Sequence, residues 1–197
     1  MRGPARRLAA CLWLLAGTAT AQLLPNSSGW HTWRVAALDG SNHGCCYSWQ
    51  FGKGARGGAC RLSGNGLEAA KLGHSVGMQP GQHSKHVRIF ARLDQGRIID
   101  AQAVSDRCPV DADVELDDLG TIDAQVSLSW LQRAWREQDG DEDLLQVIAQ
   151  HAGGDEALID LVEDPDLDQA RRKGALFWLA ESATDRAVAW FDNLLTN

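Results

Sequence analysis

The longest basic run in the chain is Arg171-Arg172-Lys173, and the formal charge is −7 at pH 7. Surfaces that hold nucleic acid or anionic membranes are built from larger clusters of lysine and arginine, so partners of that kind are not expected. The sequence has no Cys-x-x-Cys pair, the spacing most zinc sites show. Its acids Asp106, Asp111, Asp113, Glu115, Asp117 and Asp118 lack the glycine and the regular alternation of an EF-hand loop. Long apolar runs are confined to residues 8–16, and no other segment approaches the length a spanning helix needs.

That single apolar run follows Arg2, Arg6 and Arg7 and precedes Ala19-Thr20-Ala21, a small-x-small cleavage pattern, so residues 1–21 read as a secretory signal peptide. Leu8-Ala9-Ala10-Cys11 has the letters of a lipobox, but it opens the apolar region instead of following it, and a cleaved leader is the better reading. Cleavage would remove three arginines and Cys11, taking the charge from −7 to −10 and the cysteines from 5 to 4. The mature protein is expected to be periplasmic or secreted, with no membrane insertion.

The remaining cysteines are Cys45, Cys46, Cys60 and Cys108. In an oxidising compartment an even count favours a disulfide framework over a metal site. Joining the adjacent Cys45 and Cys46 would strain the ring, and on a strand the two point to opposite faces. Each should therefore take a distant partner, one Cys60 and the other Cys108. His83, His86 and His43 could be imagined around copper or zinc, but a polar loop leading into a strand explains them, and no cofactor is expected.

Residues 22–118 have the character of a small antiparallel β domain. Segments 30–38, 45–51, 86–93 and 97–104 are short and rich in β-branched and aromatic residues, with glycine-rich breaks between them. Val87, Ile89, Ala91 and Leu93 alternate on one face. Asp94-Gln95-Gly96 then turns the chain back toward Ile98 and Val104, with Gly96 at a left-handed position. Trp30, Trp33, Trp49 and Phe90 are its expected large core residues. The glycine-rich stretches 52–58 and 63–66 read as turns, and the acidic stretch 111–120 as a solvated linker.

From residue 119 to 197 the apolar period becomes helical. Leu128, Leu131, Ala134 and Trp135 stripe a helix over 127–138, and Leu144, Leu145, Val147, Ile148 and Ala149 a second one that Gly153-Gly154 ends. Asp155-Glu156-Ala157-Leu158 is echoed by Asp185-Arg186-Ala187-Val188, a period of about thirty residues. Ala175, Leu176, Trp178 and Leu179 stripe the helix before the second copy, with Ser182 and Thr184 as candidate N-caps between the two. Arg171-Arg172-Lys173, the run 175–180 and Asp185-Arg186-Ala187-Val188 resemble the first helix, turn and second helix of a HEAT repeat in its short bacterial form. The sequence departs from that pattern at Gly174, in mid-helix, and at Ala183-Thr184, where the family usually has Gly-Asp.

The expected fold class is thus α+β, a disulfide-stapled antiparallel β domain followed by a HEAT-like hairpin stack. The resemblance implies a non-catalytic scaffold or sensor that binds another extracytoplasmic protein. Trp190 joins Ala187, Phe191 and Leu194 in a stripe wider than one neighbouring helix covers. Trp178, Trp190, Phe191 and Leu194 are therefore the candidate contact residues for a partner or for self-association, with inward packing of Trp190 as the plainer alternative. The functional alternative is a thiol-disulfide protein using the Cys45-Cys46 pair, which would need an exposed, labile bond.

Overall fold

The computed structural model describes residues 24–39, 44–50, 54–57, 59–69, 84–138 and 141–196; the leader assigned to residues 1–21 lies outside them. Strands β1 (Gly29–Ala36), β6 (His86–Asp94), β7 (Arg97–Ser105) and β9 (Leu116–Thr121) form a four-stranded sheet in the order β7-β6-β1-β9. β6 runs antiparallel to both β1 and β7, while β9 lies parallel to β1. Two smaller sheets pair β2 (Tyr47–Gln50) with β3 (Gly54–Gly57), and β5 (Gly66–Ala69) with β4 (Cys60–Ser63) and β8 (Val110–Ala112).

The β6-β7 hairpin shows how sequence sets local structure. Asp94 pairs with Arg97, leaving a two-residue loop in which Gln95 and Gly96 both take positive φ, 50° and 78°, the turn whose twist suits a hairpin. Between Arg92 and Leu93 the register slips by one residue, because Leu93 pairs with Ile98 but Arg92 with Asp100. That bulge at Ile99 puts Ile98 and Ala101, three residues apart, on the same buried face as Val87, Ile89, Ala91 and Leu93.

Two expectations about the strands are corrected. Stretch 111–120 is not a linker: it carries β8 and the edge strand β9, whose Leu116 and Leu119 pack inward while Asp117 and Asp118 stay exposed. Charge on an edge strand is a common guard against further pairing, and here it hides the strand pattern. Stretch 52–58 is not only a turn, since Gly54–Gly57 is β3; the turn reading holds at Gly64-Asn65, between β4 and β5. The sheets are also mixed rather than purely antiparallel.

Five helices follow, α1 (Ala124–Glu137), α2 (Glu142–Ala149), α3 (Gly154–Glu163), α4 (Gln169–Ser182) and α5 (Asp185–Thr196). Asp123, Asp141 and Asp168 cap α1, α2 and α4 by accepting from backbone amides of the first turn, and Thr184 caps α5 by accepting from Ala187 N at 3.0 Å. Ser182, the other candidate cap, instead donates back to Leu179 O at 2.6 Å. Gly153 turns α2 into α3 with φ 79°. Gly174 has a steric reason: a Cβ there would lie 3.2 Å from Leu145 Cδ1, so its absence lets α4 settle onto α2.

The boundary drawn after residue 118 falls inside β9, and the main core spans it. Trp33, Val35, Val87, Ile89 and Ala91 of the sheet are buried in one cluster with Leu128, Leu131, Trp135, Leu144, Ile148, Leu158 and Leu179 of the helices. On the opposite side of the sheet Trp30, Phe90 and Val104 meet Cys60 and Leu62 in a much smaller cluster. Trp33 and Phe90 therefore belong to different cores, and the side chain of Trp49 lies outside the described residues.

The turn between α2 and α3 is sewn to the end of β1 by hydrogen bonds from Leu38 N to Gln150 O at 3.0 Å and from Ala152 N to Ala36 O at 2.9 Å. Beneath it Trp33 Nε1 donates to Ser127 Oγ at 2.8 Å, and Ser127 Oγ lies 2.8 Å from His151 Nε2. His151 Nδ1 is 2.8 Å from Val147 O, which only accepts, so Nδ1 carries the proton and Nε2 receives the serine hydroxyl. Helices without the sheet would expose one side of this core. A chain beginning at Thr121 is accordingly expected to melt well below the whole protein, as read by far-UV circular dichroism. An equal melting temperature would show that the helices stand alone.

Candidate functional site

The cysteines come together as the sequence predicts. Cys45 pairs with Cys108 and Cys46 with Cys60 at disulfide-bonding distance, with Cα separations of 5.4 and 5.2 Å. Cys60 is fully buried against Leu62 and Phe90 in the smaller core, and Cys45, Cys46 and Cys108 are packed at its edge. Cys45 and Cys46, just before β2, thus serve two different crosslinks, one to Cys108 in the connection between β7 and β8 and one to Cys60 at the start of β4.

Other groupings of reactive residues are explained by packing. Buried His31 lies with Nε2 2.9 Å from Ser27 Oγ and 3.5 Å from Asp117 Oδ2. The serine and the aspartate meet the same ring nitrogen, while Nδ1 faces Gly29 O at 3.2 Å, so the trio lacks the two-sided geometry of a proton relay. His86 Nδ1 lies 4.0 Å from Asp106 Oδ2, whose other oxygen accepts from Ser84. Among the described residues no three His, Cys, Asp or Glu side chains converge on a metal position, and His43 and His83 lie outside those residues. Asp100 is half-buried opposite Arg92, and burial holds its carboxyl above the usual range while Arg92 pulls it down.

Two letter patterns bear on catalysis. Gly52-Lys53-Gly54-Ala55-Arg56-Gly57 spells G-x-G-x-x-G, but Gly54–Gly57 is a strand antiparallel to β2, and no helix opens there to cradle a pyrophosphate. Gly73-His74-Ser75-Val76-Gly77 spells G-x-S-x-G and lies outside the described residues. That motif works on the turn from a strand of a parallel sheet into a helix, and the described strand before it, β5, is antiparallel to β4.

The last two helices are different in kind. Among the described residues the exposed large apolar side chains are Phe177, Val188, Leu194 and Leu195, with 57%, 53%, 61% and 83% of their surfaces accessible, and all four lie on α4 and α5. Of α5 only Ala187 is fully buried. Trp178, Trp190 and Phe191 are partly buried and pack on the margin of the main core. Trp190 is not turned fully inward: its Nε1 donates to Glu163 Oε1 at 2.7 Å, and its ring meets Phe191 edge to face at 5.2 Å. Of the candidates named from sequence, Leu194 is openly exposed and the three aromatics are partly buried against the main core. Phe177, Val188 and Leu195 are the additions. Phe177 was detectable as the one large apolar residue of its helix lying off the Ala175-Leu176-Trp178-Leu179 stripe.

Polar contacts fix α5 against α3 at its first turn. Thr184 Oγ1 donates to Asp155 Oδ2 at 3.0 Å, and Arg186 Nη2 donates to Glu156 Oε1 at 2.6 Å. No helix in the described residues is long and apolar enough to cross a membrane. No protein-family model, curated protein or solved structure matches this chain.

Proposed function

We propose that the protein is an extracytoplasmic scaffold that binds another protein through the outer face of α4 and α5, without a catalytic role. The observation that carries this reading is the concentration of exposed large apolar side chains on those two helices. Monomeric surfaces tolerate scattered apolar residues, but several on one pair of helices, rimmed by partly buried tryptophans, is the composition of a contact surface.

The HEAT-like reading of the helices belongs to the same proposal. It is supported by similar positions in the two hairpins, since Ala157 and Ala187 are both buried two residues after an aspartate, Asp155 or Asp185, in the first turn of α3 or α5. Ala183 takes φ 48° where the repeat pattern has glycine, a conformation glycine tolerates best. Export by residues 1–21 would place the two cysteine pairs where disulfides persist.

The test is affinity capture from the extracytoplasmic fraction, comparing the native protein with a Leu194→Ser, Leu195→Ser variant. Both side chains are exposed, so the variant should keep its fold. A protein retained by the native form and lost from the variant is the expected result. Equal recovery from both would exclude this face as the binding surface.

A further inference from the structure

One row on α4 has a symmetry of its own. Lys173, Phe177 and Glu181 succeed one another at i, i+4 and i+8 along the helix, and all three are exposed. Among the described residues neither Lys173 nor Glu181 takes part in an ion pair. A row with i, i+4 spacing is a ridge of the kind that helices interlock when they pack. Phe177, with 57% of its surface open, stands midway between a cation and an anion.

Such a row is complementary to itself when reversed. With two copies of α4 laid antiparallel and the Phe177 rings at the crossing, Lys173 of each copy comes level with Glu181 of the other. The helical rise puts each charge about 6 Å from the crossing point, within reach of long side chains. A two-fold axis through the crossing makes both pairs at once. We propose that a second copy of this chain docks here, in an antiparallel contact between α4 helices centred on Phe177. This rests on reading the outer face of the last two helices as an interface, and it names the occupant.

Sedimentation of the oxidised protein recovered from the periplasm of a bacterial host, over a range of concentration and salt, tests the contact. A reversible dimer that weakens as salt rises is expected. Lys173→Glu and Glu181→Lys should each weaken it about tenfold, because either one sets like charges against each other in both pairs. The double reversal, Lys173→Glu with Glu181→Lys, should restore it. Phe177→Ser should weaken it more than about a hundredfold, as loss of a central aromatic anchor does. At concentrations low enough to keep the native protein monomeric, thermal melts of all four variants should match it, since none of the three side chains is buried.

A protein that stays monomeric throughout, or a dimer indifferent to the charge reversals, overturns the contact. In that case loss of a captured protein from the Leu194→Ser, Leu195→Ser variant would leave the scaffold function standing. A dimer that follows the charge pattern, with equal recovery in the capture experiment, would keep the second copy and remove the separate partner.

Discussion

Reduction of both cysteine pairs is expected to lower the melting temperature by about 15 °C or more, and to unfold the β4-β5-β8 layer first. The pairs close loops with sequence separations of 14 and 63 residues. Loops of those sizes correspond to about 3 and about 4 kcal/mol of restricted unfolded-state entropy. Against a total stability on the order of 5–15 kcal/mol, that is a large share. The layer they hold has little else, since its buried cluster consists of Trp30, Cys60, Leu62, Phe90 and Val104. Loss of the longer crosslink through Cys45→Ala with Cys108→Ala should cost more than loss of the shorter through Cys46→Ala with Cys60→Ala. Iodoacetamide should add nothing to the native, unreduced protein and should label all four of these cysteines after reduction in denaturant. Labelling of the native protein at Cys45 or Cys46 would revive the thiol-disulfide reading, and a reduced protein that melts within a few degrees of the oxidised one would refute the stabilising role.

Trp33→Ala should destabilise the protein by about 3–5 kcal/mol, the usual cost of truncating a fully buried aromatic. Trp33 is inaccessible to solvent, meets Trp130 edge to face at 5.8 Å, and donates to Ser127. Its removal leaves a cavity between sheet and helices and takes one donor from a buried chain that continues through Ser127 to His151. Because the lost contacts join β1 to α1, helical ellipticity and near-ultraviolet signals should fall together in a single transition. Trp190→Ala, at the partly exposed margin, should cost far less. Separate transitions for strands and helices in the Trp33 variant would mean that the shared core does not make them one cooperative unit.

The helices and the β6-β7 hairpin were legible because their apolar residues repeat at the period of the element. Leu128, Leu131, Ala134 and Trp135 mark one helix face, and Val87, Ile89, Ala91 and Leu93 one strand face, and all eight are buried. β9 was illegible because only Leu116 and Leu119 of its six residues pack inward, and two aspartates sit between them. β4 and β5 are four residues each, too short for alternation to show. Periodicity also says that a face is covered without saying by what. Trp33 and Val87 read as the core of a separate β domain, whereas helices cover them. For the interaction face, Trp190 and Leu194 are visible as surplus in an apolar stripe, while nothing in the spacing separates the exposed Val188 and Leu195 from covered apolar residues of the same helix.

The placement of β1 in the sheet governs the order in which the chain can assemble. Trp30 and Thr32 have β9 neighbours at Leu116 and Asp118, and Ala37 has a bridge to His151. The strand that is synthesised first among those described is thus completed by segments far downstream in the chain. β6 and β7 can close locally through their two-residue turn, but β1 cannot gain its second neighbour until Thr121 is available, nor its helical cover until residue 151 is. Pairings so distant in sequence carry a loop-closure cost before any contact rewards it, which places folding on the slow, high-contact-order side of small proteins. A chain delivered N-terminus first therefore cannot complete its large sheet until Thr121 has emerged, and leaves Trp33 without its helical cover until α1 and α2 follow.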